Sequence, residues 1–102
     1  MPQIKQELFD VLGPDLCKGT LPNWQDVVLD FEGSTFVDNI PAVLCKASGT
    51  SKSVLGTFRL KTIYVIFVKP PSAYEMGCYV QESEYDAMEP TFIDILGSFG
   101  FN

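Results

Sequence analysis

The run Thr57-Phe58-Arg59-Leu60-Lys61-Thr62-Ile63-Tyr64-Val65-Ile66-Phe67-Val68-Lys69 constrains this chain more than any other stretch. Its β-branched and aromatic residues favour extended backbone. With period two, Phe58, Leu60, Thr62, Tyr64, Ile66 and Val68 share one face. The other face opens with Arg59 and Lys61, then turns apolar at Ile63, Val65 and Phe67. The first half of such a strand has one wet side; the second half is covered on both. At about 3.3 Å per residue it runs roughly 40 Å, which is long for so small a domain. Its N-terminal half reads as a projecting hairpin arm, and Pro70-Pro71 stops it.

The rest of the chain supplies partners for this strand. Ile4, Leu8, Val11 and Leu12 recur at i, i+4, i+7 and i+8, which predicts an amphipathic helix over 2–12, with a further turn toward Leu16. Gly13-Pro14 punctuates it. Residues 18–23 read as a loop. Trp24 to Glu32 alternates, with Val27, Leu29 and Phe31 facing one way and Asp26, Val28, Asp30 and Glu32 the other, a half-buried strand. Gly33-Ser34-Thr35 punctuates that strand, 36–39 is ambiguous, and Ile40-Pro41 opens a short apolar strand over Ala42–Lys46. This strand follows the chain into the long one and pairs with it antiparallel. Residues 47–53 are small and polar and read as an exposed, flexible tip.

Beyond Pro71 the period changes. Tyr74, Cys78, Tyr85, Met88, Phe92, Ile95 and Phe99 fall on spacings of three, four and seven, a helical stripe. A competing reading makes Gly77–Glu82 an edge strand; the helix is preferred. Pro90 begins a new helix or kinks the existing one, and Gly97-Ser98-Phe99-Gly100 ends it. The order is helix, strand, strand, strand, helix over a single domain, 1–102. The expected class is α+β: a small antiparallel sheet with a long central hairpin, and N-terminal and C-terminal helices packed on one face.

The residue types exclude much chemistry. There is no His in 102 residues, which removes the Ser-His and Cys-His pairs and most zinc sites. Cys17, Cys45 and Cys78 form no CxxC pair. Their odd number argues against a closed disulfide framework and for a reducing compartment. Cys45 reads as a buried thiol, with an intermolecular disulfide left open. No glycine pattern makes a nucleotide loop. Asp26, Asp30, Glu32 and Asp38 gather in one segment, and Asp30 with Glu32 sketches a carboxylate pair, although the solvated outer face of a strand is the preferred account of them. Seven basic against thirteen acidic side chains give −6, unlike a duplex-binding surface. No stretch approaches a membrane span, and the first residues lack a basic-then-apolar leader. No catalytic, cofactor-binding or metal-ligating residue is expected. An enzyme working through carboxylates or a reactive Cys78 is the weakest of the readings.

The order of elements resembles the small proteins that complete tailed-phage tails, the tail terminators and head–tail joining subunits. The resembling stretch covers about residues 4–99. It comprises an opening helix, a Pro-marked strand at Ile40-Pro41-Ala42-Val43-Leu44, a polar tip, the long strand Phe58–Val68, and a closing helix ending Phe92-Ile93-Asp94-Ile95-Leu96-Gly97-Ser98-Phe99. The match lies in pattern and order, not in a signature motif. It implies a structural subunit of a virion, made in the bacterial host cytoplasm. Such a subunit forms a homo-oligomeric ring, commonly hexameric, at the end of the tail tube. Its partners are other tail or neck proteins, with no sequence-specific nucleic acid and no membrane. The family has no catalytic residues to carry over.

Interface candidates follow from the projecting arm. Ser48, Gly49, Thr50 and Lys52 sit in the tip, and Arg59 and Lys61 form the close basic pair of the strand face, able to meet a neighbour's Asp30 or Glu32. Ordinary edge-strand cations that discourage aggregation explain the pair as well. Trp24 is a packing residue or an interface anchor. The rival reading is a small acidic protein-binding module, a regulator or inhibitor without catalysis, docking through the acidic patch at Asp26 to Asp38.

Overall fold

A computed structural model describes residues 16–98. The helix expected over 2–12, Phe99 and Phe101 lie outside the described residues. The chain begins with a single helical turn, α1 (Leu16–Gly19), followed by β1 (Gln25–Val37), β2 (Ile40–Ser53), β3 (Gly56–Lys69) and β4 (Ser72–Gln81). A 3-10 turn (Glu82–Glu84) leads into α2 (Tyr85–Gly97). The strands form one antiparallel sheet in the order β1-β2-β3-β4, a meander. The class is α+β.

Each connection is a two-residue hairpin loop. Val37 pairs with Ile40 across Asp38 and Asn39, both at positive φ (49° and 64°). That is the backbone of a type I′ turn, which Asp and Asn tolerate better than other non-glycine residues. Ser53 pairs with Gly56 across Val54-Leu55, and Lys69 with Ser72 across Pro70-Pro71, whose peptide bond is cis.

β3 carries the core on both sides. Tyr64, Ile66 and Val68 pack with Val43, Cys45, Leu16 and Cys17 on one face. Ile63, Val65 and Phe67 pack with Tyr85, Phe92 and Leu96 on the other. Residues 62–68 are buried throughout, the double coverage that their continuous apolar run requires. The two described helices therefore lie on opposite faces of the sheet. The placement expected for the helix over 2–12 falls on residues outside those described; β3, apolar on both sides, is covered on one face by α1 and on the other by α2.

Three further expectations are corrected. First, Ser72–Gln81 is a strand, not a helix. Tyr74, Met76, Cys78 and Val80 alternate toward α2, while Glu75, Gly77 and Tyr79 face the other way. Pro90 does not start a helix but sits inside α2, exposed; Leu96 turns inward, and Ile95 of the expected stripe is exposed. Second, 47–53 is strand rather than loop: it extends β2, paired with β3 throughout and with β1 as far as Thr50, and Ala47 and Ser48 are buried, while Lys52 and Ser53 are exposed as expected. Small side chains there let neighbouring backbone cross. A Cβ on Gly49 would meet Val27 Cγ2 at 3.0 Å and Trp24 Cβ at 3.2 Å. Third, Cys17 and Cys45 are joined in a disulfide, with Cα atoms 5.6 Å apart, leaving Cys78 as a free thiol. One pair and one leftover satisfy an odd count, so the count never argued against a single bridge.

β1 runs on through Gly33, Ser34 and Thr35 to Val37, with register shifts between Gln25 and Val28 and between Leu29 and Phe31. The second shift breaks the expected alternation. Leu29 pairs with Ala47 and packs on the α1 side, whereas Phe31 pairs with Lys46 on the α2 side. A bulge adds one residue to one strand and so reverses the facing of everything beyond it.

Candidate functional site

Three surface features are built by this sheet: a cleft on the α1 face, a groove on the α2 face, and an exposed hairpin tip. The cleft encloses about 450 Å³. Its floor is Thr62 and Tyr64 of β3 with Glu75 and Tyr79 of β4, and its wall is the segment carrying Thr20 and Trp24. Trp24 and Tyr79 meet edge to face, with ring centroids 6.0 Å apart. Gly77 keeps the floor open, since a Cβ there would lie 2.7 Å from Tyr64 Cβ.

The wall is fixed at Cys17. Its sulfur is bonded to Cys45, its N–H donates to the Glu32 carboxylate (3.1 Å), and its carbonyl accepts the Tyr64 hydroxyl (2.9 Å). The Thr20 hydroxyl donates to the Leu16 carbonyl at 2.8 Å and lies 3.3 Å from the Tyr64 oxygen. Burial pushes the Tyr64 phenol above its usual range, a shift opposed by Thr20 and reinforced by Glu75 and Glu32. Burial likewise raises the Glu75 carboxyl.

Alternation sorts the charges of the sheet. Lys46, Lys52, Arg59, Lys61 and Lys69 all fall on the α2 face, whereas Glu32 and Glu75 fall on the cleft face. Three of these cations, Arg59, Lys46 and Lys61, are engaged with the end of the chain that follows β4. Arg59 bonds Glu82 at 3.1 Å and Thr50 at 3.0 Å. Lys46 bonds Glu89 at 3.2 Å and stands 5.3 Å from the centre of the Phe31 ring. The Lys61 ammonium sits 4.7 Å from the centre of the Tyr85 ring.

The groove, about 160 Å³, is lined by Phe36, Val37, Leu44, Val65, Ile93 and Leu96 among others. At the far end of the β2–β3 hairpin, Val54 is fully exposed and Leu55 is 85% exposed.

The residues singled out in the sequence are thus dispersed. Trp24 is in the cleft, Glu32 holds its wall, and Gly49 lies beneath Trp24. Thr50 and Arg59 are bonded, Ser48 is buried opposite Lys61, and Lys52 is exposed near the tip. Asp30 is exposed at the bulge, and the carboxylate pair with Glu32 is interrupted by that bulge. Thr20, Tyr64, Glu75 and Tyr79 were missed. The alternation of Glu75, Gly77 and Tyr79 carried the signal, but it was read with a helical period. Among the described residues, no cluster of three or more His, Cys, Asp or Glu side chains suits a metal, and no helix is long and apolar enough to cross a membrane.

Comparison with family models, curated proteins and solved structures finds no match for this chain.

Proposed function

We propose that the chain is a structural assembly subunit that joins copies of itself head to tail into a closed ring. The reading is that of a tail terminator or head–tail joining protein, in a virion and as a hexamer, acting without catalysis and meeting other tail or neck proteins on the ring's faces. The observation that carries the assembly is the pair of unlike apolar surfaces near the two ends of the β2–β3 hairpin. The tip offers Val54 and Leu55 to solvent, and the groove lined by Phe36 and Ile93 lies nearer the other end of the hairpin. Leu44 of β2 and Val65 of β3 line the groove, ten residues before Val54 and ten after Leu55. A cavity of about 150 Å³ accepts a benzene-sized apolar guest, so the groove has room for a short aliphatic side chain. A knob on one surface and a hole on another make a heterologous contact, which closes into a ring or runs on as a filament. Exposed leucine and valine at a loop tip are otherwise a liability.

Solution mass by light scattering tests this. Wild type is expected as a closed oligomer at high protein concentration. Val54→Ser with Leu55→Ser, and separately Ile93→Lys in the groove, are expected to give monomers with unchanged melting temperatures. An oligomer that survives both variants, or a wild-type monomer at every concentration, removes the tip-and-groove reading. The wild-type monomer, with a cleft that binds a partner, returns the protein to the class of small acidic binding modules.

A further inference from the structure

The cleft lies on the α1 face, opposite the groove, and the proposed tip-in-groove contact does not use it. Its chemistry is selective. Among the described residues its lining carries one carboxylate, Glu75, and no basic side chain. The basic residues of the strands all stand on the opposite face of the sheet. An anion entering the cleft would meet Glu75 in its lining, with Glu32 on the same face, while Lys18 of α1 is not among the lining residues. A purely apolar guest would strip water from the Glu75 carboxylate without replacing it. Trp24 and Tyr79 supply ring surfaces, which attract cations through the quadrupole of the π system. The net charge of −6 adds a long-range attraction of the same sign.

We propose that this cleft binds an organic cation, a guanidinium or alkylammonium group on an apolar stem, against Trp24 and Tyr79 with Glu75 as counter-ion. The aromatic pair receives the stem and the delocalised charge, and the carboxylate fixes the head. Gly77 is part of the site because any larger residue would drive into Tyr64 and fill the floor. The same group can arrive as a free small molecule or as an arginine or lysine side chain of a partner protein.

Trp24 is the sole tryptophan of the chain, so its fluorescence reports the cleft directly. The full chain is titrated with arginine amide, with its neutral isostere citrulline amide, with methyl glucoside, and with an acetyl-Gly-Arg-Gly-amide peptide. A saturable change with arginine amide is expected, with citrulline amide and the glucoside silent. Glu75→Gln and Tyr79→Ala, both at exposed positions, are each expected to weaken binding about tenfold, the size of one lost charge-assisted contact. Their melting curves and circular dichroism confirm that the fold is kept. A peptide that binds much more tightly than arginine amide assigns the cation to a partner's side chain, and equal binding assigns it to a small molecule; both outcomes support the site. No saturable response, citrulline amide binding as well as arginine amide, or Glu75→Gln without effect overturns it. The tip variants leave this titration unchanged, so its failure is separate from failure of the assembly.

Discussion

Two glutamates, Glu75 and Glu89, show how opposite surroundings give one residue type opposite effects on stability. Burial raises the Glu75 carboxyl. A raised folded-state value means stability that is complete below the unfolded value, about 4.3, and lost as pH rises through the folded one. Glu89 is held low, first by the Tyr85 hydroxyl and then by Lys46, with Lys61 adding to it. Its stability is present above the unfolded value and lost as pH falls through the folded one. Glu75→Gln should therefore raise the melting temperature at pH 7, on the order of 1–3 °C after solvent screening, and lose that gain near pH 4. Glu89→Gln should lower it at pH 7, with the deficit shrinking in acid. Thermal melts of both variants across that range check the signs. Neither glutamate stood out in the sequence. A carboxylate's behaviour depends on what crosses over it, and for Glu75 that depended on the strand assignment of its whole segment.

The disulfide and β4 decide the shape of the cleft at the level of elements. Cys17–Cys45 closes a loop with a sequence separation of 28 and ties α1 to the sheet. A loop of that length corresponds to about 3.5 kcal/mol of stabilisation in the chain-entropy account. Cys17→Ala with Cys45→Ala, or reduction, should lower the melting temperature by well over 10 °C for a domain of this size. Thiol titration of the denatured, unreduced protein should give one equivalent, Cys78, and three after reduction. Three before reduction would sink the prediction. The long β3, its double-sided burial and its antiparallel pairing with β2 were legible because a continuous apolar strand needs cover on both faces. The bridge was not, since spacing alone does not show which thiols meet. β4 was misread because Tyr74 and Cys78 fit a spacing of four as well as two spacings of two. Met76 and Val80 complete the second pattern, and Gly77 disfavours the first. The segment 47–53 looked like a loop because its residues are small and polar. Gly49 is small because Val27 and Trp24 pass close over it, a constraint that lies wholly in the tertiary structure.

Over the whole molecule, the question is whether the two apolar surfaces recognise each other or only themselves. An isologous dimer pairs the same patch on both copies, so one variant that destroys the patch stays monomeric whatever it is mixed with. A heterologous contact behaves differently. A subunit with Val54→Ser and Leu55→Ser keeps its groove but lacks a knob, and one with Ile93→Lys keeps its knob but lacks a groove. Each alone should be a monomer. Mixed in equal amounts, they should form a one-to-one heterodimer and stop there, because the pair has spent its only good knob and groove on each other and presents a defective copy of each at its ends. Light scattering then reads twice the 11.3 kDa chain mass. Adding wild type should lengthen or close the assembly only by inserting between the two defective ends. A mixture that stays monomeric rejects tip-in-groove association, and one that reforms the full oligomer means that the contacts lie elsewhere, as on β1 and β4, the edge strands of the meander among the described residues. The heterodimer is the expected result because the apolar residues exposed at the tip face a groove whose lining, Phe36, Leu44 and Ile93 above all, offers them apolar surface and no charge.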